Sequence, residues 1–271
     1  MSPAIMLKTL RDYVGLLALL CAAMIGFEYL FIHAVDDIPM ETGKSLLSLP
    51  FIRDFLKFLL GGDILENLNP TGMVTMGFGI TFIHACIWMF LVTVSTWTVA
   101  GEIDKGTADL LLALPLSRAN VYISTTLVWI AMAIPLSLAP LLGAWIGVST
   151  GKLNGPVDFS RVVLLVPNLF ALCLAIGGIG MFFSAAMPRR GPAIAWTVAV
   201  LLLSFVINFL SQLWKNADQF SFLGLLYYYR PLHVLAENRL PWNEMGVLAG
   251  IFAVTWTSGL IWFSRKDIHA T

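Results

Sequence analysis

Charge is what this sequence has least of. Only 12% of its 271 residues are Asp, Glu, Lys or Arg, roughly half the share of a soluble domain. With a mean hydropathy of +0.84, the chain has too little polar surface to clothe a water-soluble globule, and the membrane class follows. Its formal net charge is +0 and it holds no long basic block, so nothing recommends a nucleic-acid partner. Cysteine is scarce as well. Cys21, Cys86 and Cys173 are odd in number and each sits inside an apolar run, which argues against a disulfide framework and against a metal site. The eleven methionines read as core filler. No H-E-x-x-H run and no paired carboxylates occur in the apolar segments, so a membrane enzyme is poorly supported. The nearest approach to a nucleotide-binding loop is Gly147-Val148-Ser149-Thr150-Gly151-Lys152-Leu153. It is one residue too short and lacks the hydroxyl that follows the lysine in G-x-x-x-x-G-K-[ST]. No ATPase site is expected in this chain.

What the sequence does have is long apolar runs. A membrane helix needs about 20 mostly apolar residues, and six segments qualify: about 14–35, 72–99, 120–148, 162–186, 193–214 and 245–263. The first resembles a secretory leader, with Lys8 and Arg11 ahead of it, but the run is too long and lacks a convincing cleavage site. It reads as an uncleaved span. The connections are too short to fold alone, so 1–271 reads as one all-α polytopic domain with six transmembrane helices. Residues 46–60 suit an outer interfacial helix. Residues 220–235, aromatic and broken by Pro231, suit a re-entrant or interfacial hairpin, with Tyr227, Tyr228 and Tyr229 at headgroup level. Pro135, Pro140 and Pro167 predict kinks. Gly177, Gly178 and Gly180 predict close helix packing or, alternatively, a gating hinge.

Lysine and arginine set the orientation. They divide evenly between the two sides, eight and eight, but the connections that would lie inside are much shorter and therefore denser in charge. Arg189 and Arg190, in a four-residue loop, give the clearest signal. Both termini are expected in the cytoplasm.

That orientation puts 101–119 in the cytoplasm, and this stretch is unusual. GEIDKGTADLLLALPLSR packs Glu102, Asp104, Lys105, Asp109 and Arg118 between two of the longest apolar runs. On a helix over 102–114, Ile103, Thr107, Leu110 and Leu114 share one face. The acids near its start suit the positive end of the helix dipole. Pro115 ends it, and Ser117 is placed to cap the next helix. The residues alone leave two readings open: a plain surface helix between spans, or a rigid helix that meets a partner.

The order Gly101-Glu102, Gly106-Thr107, Asp109, Leu111-Leu112, Pro115, Ser117-Arg118 resembles the signature of type-2 ATP-binding-cassette (ABC) permeases. It looks most like the branch associated with multi-copper enzyme maturation or drug export. The span layout is similar over the whole chain, and LKTLRDY at 7–13 and the 263–268 tail add weaker support. Ile103 departs from the pattern, since relatives commonly carry another acid there. The resemblance implies an exporter subunit of the inner (plasma) membrane, paired with a second permease copy or a close paralogue. A separate ABC ATPase would hold ATP and Mg, with no cofactor in this chain. By the same resemblance 102–118 is the coupling helix. Gly106 and Thr107 give it a small contact surface, and Glu102, Asp104 and Asp109 offer charge to the ATPase.

Polar groups at membrane depth are costly and usually face a cavity or one another. Glu28, His84, Asn208 and Gln212 are the candidates for a translocation path, and each also has a purely structural reading. The leading alternative is an ion-coupled secondary transporter that uses Glu28 and His84. An inverted repeat would favour it, and none is visible.

Overall fold

The computed structural model describes residues 3–36, 69–101, 117–151, 155–213 and 218–265. Among these the chain is helical, with no strand: α1 (Pro3–Asp36), α2 (Pro70–Gly79), α3 (Thr81–Thr96), α4 (Arg118–Thr150), α5 (Phe159–Val162), α6 (Leu165–Ala186), α7 (Arg190–Leu213), α8 (Pro231–Glu237) and α9 (Trp242–Arg265). Six apolar helical stretches are long enough to cross a bilayer: α1, α2 with α3, α4, α5 with α6, α7 and α9. The fold class and the six spans expected from the sequence are therefore present. The interfacial helix expected over 46–60 lies outside the described residues.

Direction alternates from span to span, as six consecutive crossings require. α1 and α4 run parallel: Gly143 meets Ile25 and Glu28, Gly147 meets Ile32, and Thr150 reaches His33. α6 and α9 also run parallel, Gly178 against Phe252 and Thr255, and Gly259 against Phe182. α4 and α9 run antiparallel, from Trp129 against Phe252 to Tyr122 against Phe263. One end of the bundle, the near end, therefore gathers the starts of α1, α4 and α7 and the ends of α3, α6 and α9. The far end gathers the 69–71, 155–158 and 218–241 segments.

α6 is the central helix. Its three glycines seat side chains from three different helices: Gly177 takes Trp129 of α4, Gly178 takes Phe252 and Thr255 of α9, and Gly180 takes Ser95 of α3. A side chain at any of them would collide, so these glycines serve close packing, the first of the two readings drawn from sequence. The surrounding core is apolar and fully buried, with Phe90, Leu91, Trp129, Met132, Leu136 and Leu172 at its heart. α7 and α9 lie at the periphery and present Trp196, Leu203, Val254 and Trp262 outward, as lipid-facing helices do.

One expectation about the spans needs correction. Pro135 and Pro140 lie within α4, which is continuous through both. The span expected as 72–99 is instead split: Ile80 is extended (φ −69°, ψ 139°), ends α2 and starts α3. Pro167 falls in the first turn of α6, where a missing N–H costs little.

Candidate functional site

The break in the second span frees backbone carbonyls in the interior of the bundle. Each unsatisfied one costs several kcal/mol at membrane depth, and here the polar side chains are found. The Tyr229 hydroxyl, from the 225–230 turn, donates to the Phe78 carbonyl at 3.3 Å. His84 places Nδ1 3.2 Å from the Ile80 carbonyl, one turn back along α3. A carbonyl can only accept, so Nδ1 carries the proton in this bond. The His84 ring also meets the Tyr229 ring edge-on, with centroids 5.3 Å apart. The Ile80 N–H closes the end of α2 on the Gly77 carbonyl at 3.1 Å.

Glu28 reaches this break from α1. It is 0% exposed. Its carboxyl packs directly on Gly77, and a side chain there would displace it. Among the described residues neither carboxyl oxygen has a hydrogen-bond partner, nor does His84 Nε2. The Tyr229 phenol acts as a donor here, since the Phe78 carbonyl can only accept. The structure thus gathers Glu28 and His84, both candidates from sequence, around Tyr229 and the broken helix. Tyr229 was assigned from sequence to the headgroup zone. It is buried instead, because the 225–230 turn folds into the bundle, where the Leu225 N–H donates to the Ser204 hydroxyl at 2.6 Å.

The other path candidates stand apart. Asn208 is half-buried on α7, beside Gly224 of the far-end turns. Gln212 lies in the last turn of the same helix. Sequence reasoning missed Asn168, which is 0% exposed on α6 with neither amide atom hydrogen-bonded to a described residue. An Asn inside an apolar run was the available signal.

At the near end, residues 102–116 lie outside the described residues, and with them Glu102, Asp104, Gly106, Thr107, Asp109 and Pro115. Both flanks are described. α3 runs into a π-turn, Trp97–Gly101, of the kind often found at functional sites. Ser184 of α6 pins it: its hydroxyl donates to the Thr96 carbonyl at 3.0 Å and accepts from the Ala100 N–H at 3.2 Å. The Arg190 guanidinium lies 4.4 Å over the Trp97 ring. On the other flank the Ser117 hydroxyl caps α4, accepting from the Asn120 N–H at 3.2 Å, and Arg118 opens the helix. Gly147-Val148-Ser149-Thr150-Gly151 has the G-x-S-x-G spacing of a nucleophile elbow. It forms the end of α4, with Ser149 donating to the Ile146 carbonyl, rather than a strand-to-helix turn.

A bundle of six apolar crossings, one of them broken around buried polar groups, defines a multi-pass helical membrane protein of the transporter kind. The family model described as "ABC-2 family transporter protein" matches residues 11–268. The chain belongs to that family and is a membrane permease of the ABC transporter class. No curated protein and no solved structure gives a significant match.

Proposed function

We propose that the chain is the membrane-spanning subunit of an ABC exporter, working as two permease copies with two copies of a separate ATPase. ATP binding and hydrolysis on that ATPase switch the permease pair between inward and outward openings. The observation that carries this reading is the family match over 11–268 on a six-span bundle. The permease sequence supplies no nucleotide loop, so the energy source is a partner. Residues 102–118 are the coupling segment. In support, its two flanks emerge side by side at the near end from helices that reach the centre of the bundle, and Ser184 and Arg190 brace the leading flank. A pull or push on the segment is then transmitted to α3 and α4 rather than absorbed. The near end is the cytoplasmic end of the plasma (inner) membrane in this reading. The path runs along the polar groups Glu28, His84, Asn208 and Gln212. Family membership favours this mechanism over ion-coupled secondary transport.

The test is reconstitution with an ABC ATPase. The permease alone in liposomes is expected to hydrolyse no ATP, and robust hydrolysis without partner would end the proposal. Gly106→Trp and Glu102→Arg are expected to insert normally and to lose ATPase co-purification. Asn208→Leu is expected to assemble normally and to lower transport per complex. Cysteines introduced at Ser2 and Thr271 in a background free of native cysteines should be shielded from impermeant thiol reagents in intact cells, and one at Thr42 should react.

A further inference from the structure

The far end holds a cavity of about 180 Å³ between the start of α6, the 227–230 turn, α8 and the start of α9. Asn168 lies on its wall, with no exposed surface and no hydrogen-bond partner among the described residues for either amide atom. Two opposite charges line the same cavity, Arg230 from the turn and Glu244 from the first turn of α9. Both are half-buried and, among the described residues, neither forms an ion pair. The Arg230 guanidinium is held 4.1 Å over the Tyr227 ring, a contact that orients it without neutralising it. Two other polar groups on the wall are engaged: the Tyr228 hydroxyl donates to the Phe222 carbonyl at 2.7 Å, and His233 lies 3.5 Å from Glu237.

The wall therefore offers a cation and an anion. A simple anion would face Glu244, and a simple cation would face Arg230. The volume is below the roughly 300–1,000 Å³ of sites for drug-sized ligands, so the guest is small. Two of the lining residues, Pro241 and Glu244, flank the exposed Trp242 in the chain, at the start of the last span, and tryptophan is enriched where spans meet lipid headgroups.

We propose that this cavity binds a small zwitterion, an ammonium joined to a phosphate or carboxylate, with Arg230 on the anion and Glu244 on the ammonium. The phosphoethanolamine headgroup of a lipid and a free small zwitterion share this chemistry. The binding goes beyond the permease reading and does not depend on an ATPase, so it is measured on the chain alone.

The experiment follows thermal unfolding of the purified full chain with phosphoethanolamine, glycine, ethanolamine or inorganic phosphate, and in nanodiscs of phosphatidylethanolamine or phosphatidylglycerol. A zwitterion is expected to stabilise the wild type where ethanolamine and phosphate alone do not. Arg230→Gln and Glu244→Gln are expected to unfold like the wild type without ligand and to bind about tenfold more weakly or worse, as loss of a charged hydrogen bond implies. Stabilisation confined to phosphatidylethanolamine nanodiscs identifies a lipid headgroup, and stabilisation by glycine identifies a free solute; either supports the site. The proposal is overturned if no zwitterion stabilises the wild type, if phosphate alone matches phosphoethanolamine, or if both variants respond like the wild type.

Discussion

The second and fourth spans are both rich in glycine, and they behave in opposite ways. α6 carries Gly177, Gly178 and Gly180 and runs unbroken from Leu165 to Ala186. The second span carries Gly72, Gly77 and Gly79 and breaks at Ile80. The difference lies in the neighbours. Around α6 the glycines seat Trp129, Phe252, Thr255 and Ser95; the Thr255 hydroxyl donates to carbonyls of its own helix and the Ser95 hydroxyl has no hydrogen-bond partner among the described residues, so neither takes a carbonyl from the α6 backbone. Its carbonyls stay in the helix because hydrocarbon offers nothing better. Beside the second span stands Tyr229, which donates to the Phe78 carbonyl that the break sets free, while His84 adds a second bond to the Ile80 carbonyl, which also accepts from the Ile83 N–H at the start of α3. α4 makes the same point from the other side, since two prolines do not interrupt it. A membrane helix opens where its lost backbone bonds are replaced, and breaker residues alone do not decide the place.

The sharpest way to break that comparison is to fill the seam of α6. Gly177→Leu drives a side chain into the Trp129 ring. Overpacking a dense core costs about 1–3 kcal/mol and occasionally more, so a marked fall in the unfolding temperature in detergent is expected. Trp129→Ala in the same chain should restore part of the loss, because it vacates the volume that the introduced leucine side chain needs. Wild-type stability of the single variant would show that α6 is not close-packed at this point.

Next in size is the break itself. Tyr229→Phe keeps the ring and removes the donor to the Phe78 carbonyl, leaving that acceptor unpaired; the expected cost is about 1–3 kcal/mol. Tyr228→Phe is the control. Its hydroxyl serves the Phe222 carbonyl at an exposed position, where water replaces it, so little change is expected. Equal effects from the two variants would deny the break its special need for a donor. His84→Phe should fall below Tyr229→Phe, at roughly 1 kcal/mol, because the ring contact with Tyr229 survives and only the bond to Ile80 is lost. Hydrogen exchange at Ile80 and Ile83, whose N–H groups are the bonded ones at the break, should rise in both the Tyr229 and His84 variants and remain unchanged in Tyr228→Phe.

The six spans were legible because burial in lipid demands apolar runs of a set length, and nothing else in the composition competes with that signal. Glu28 and His84 were legible as exceptions inside such runs. Their common purpose was not, because it depends on Tyr229, some 145 residues further along the chain from His84, and on a turn that folds inward. The break was hidden for the same reason: Gly77-Phe78-Gly79-Ile80 is no richer in breakers than Gly177-Gly178-Ile179-Gly180, and only tertiary partners tell them apart. Asn168 went unnoticed since a single amide in an apolar run carries no spacing pattern.

The smallest expected effect concerns how the far half of the broken span is anchored. α2 is fastened by the Thr71 hydroxyl, which accepts from the Asp158 N–H at 2.9 Å, and the Asp158 side chain in turn shapes the start of α5. The Ser160 hydroxyl, followed by the Ser160 N–H and the Arg161 guanidinium, holds the Asp158 carboxyl below its usual range. A depressed carboxylate contributes stability that is present above the unfolded-state pKa and is lost as pH falls through the folded value. Asp158→Asn keeps a cap acceptor and removes the charge, while the backbone bond to Thr71 is untouched. The variant should therefore unfold slightly below the wild type at neutral pH, and the gap should close in acid, below the normal aspartate range. Asp158 is exposed and its pair with Arg161 is open to solvent, so the gap should also shrink in high salt. Unfolding temperatures measured across pH for the two proteins decide it. A gap that stays constant into acid would mean that the charge is idle, and that the far half of the second span is held by the Thr71 bond and by packing alone.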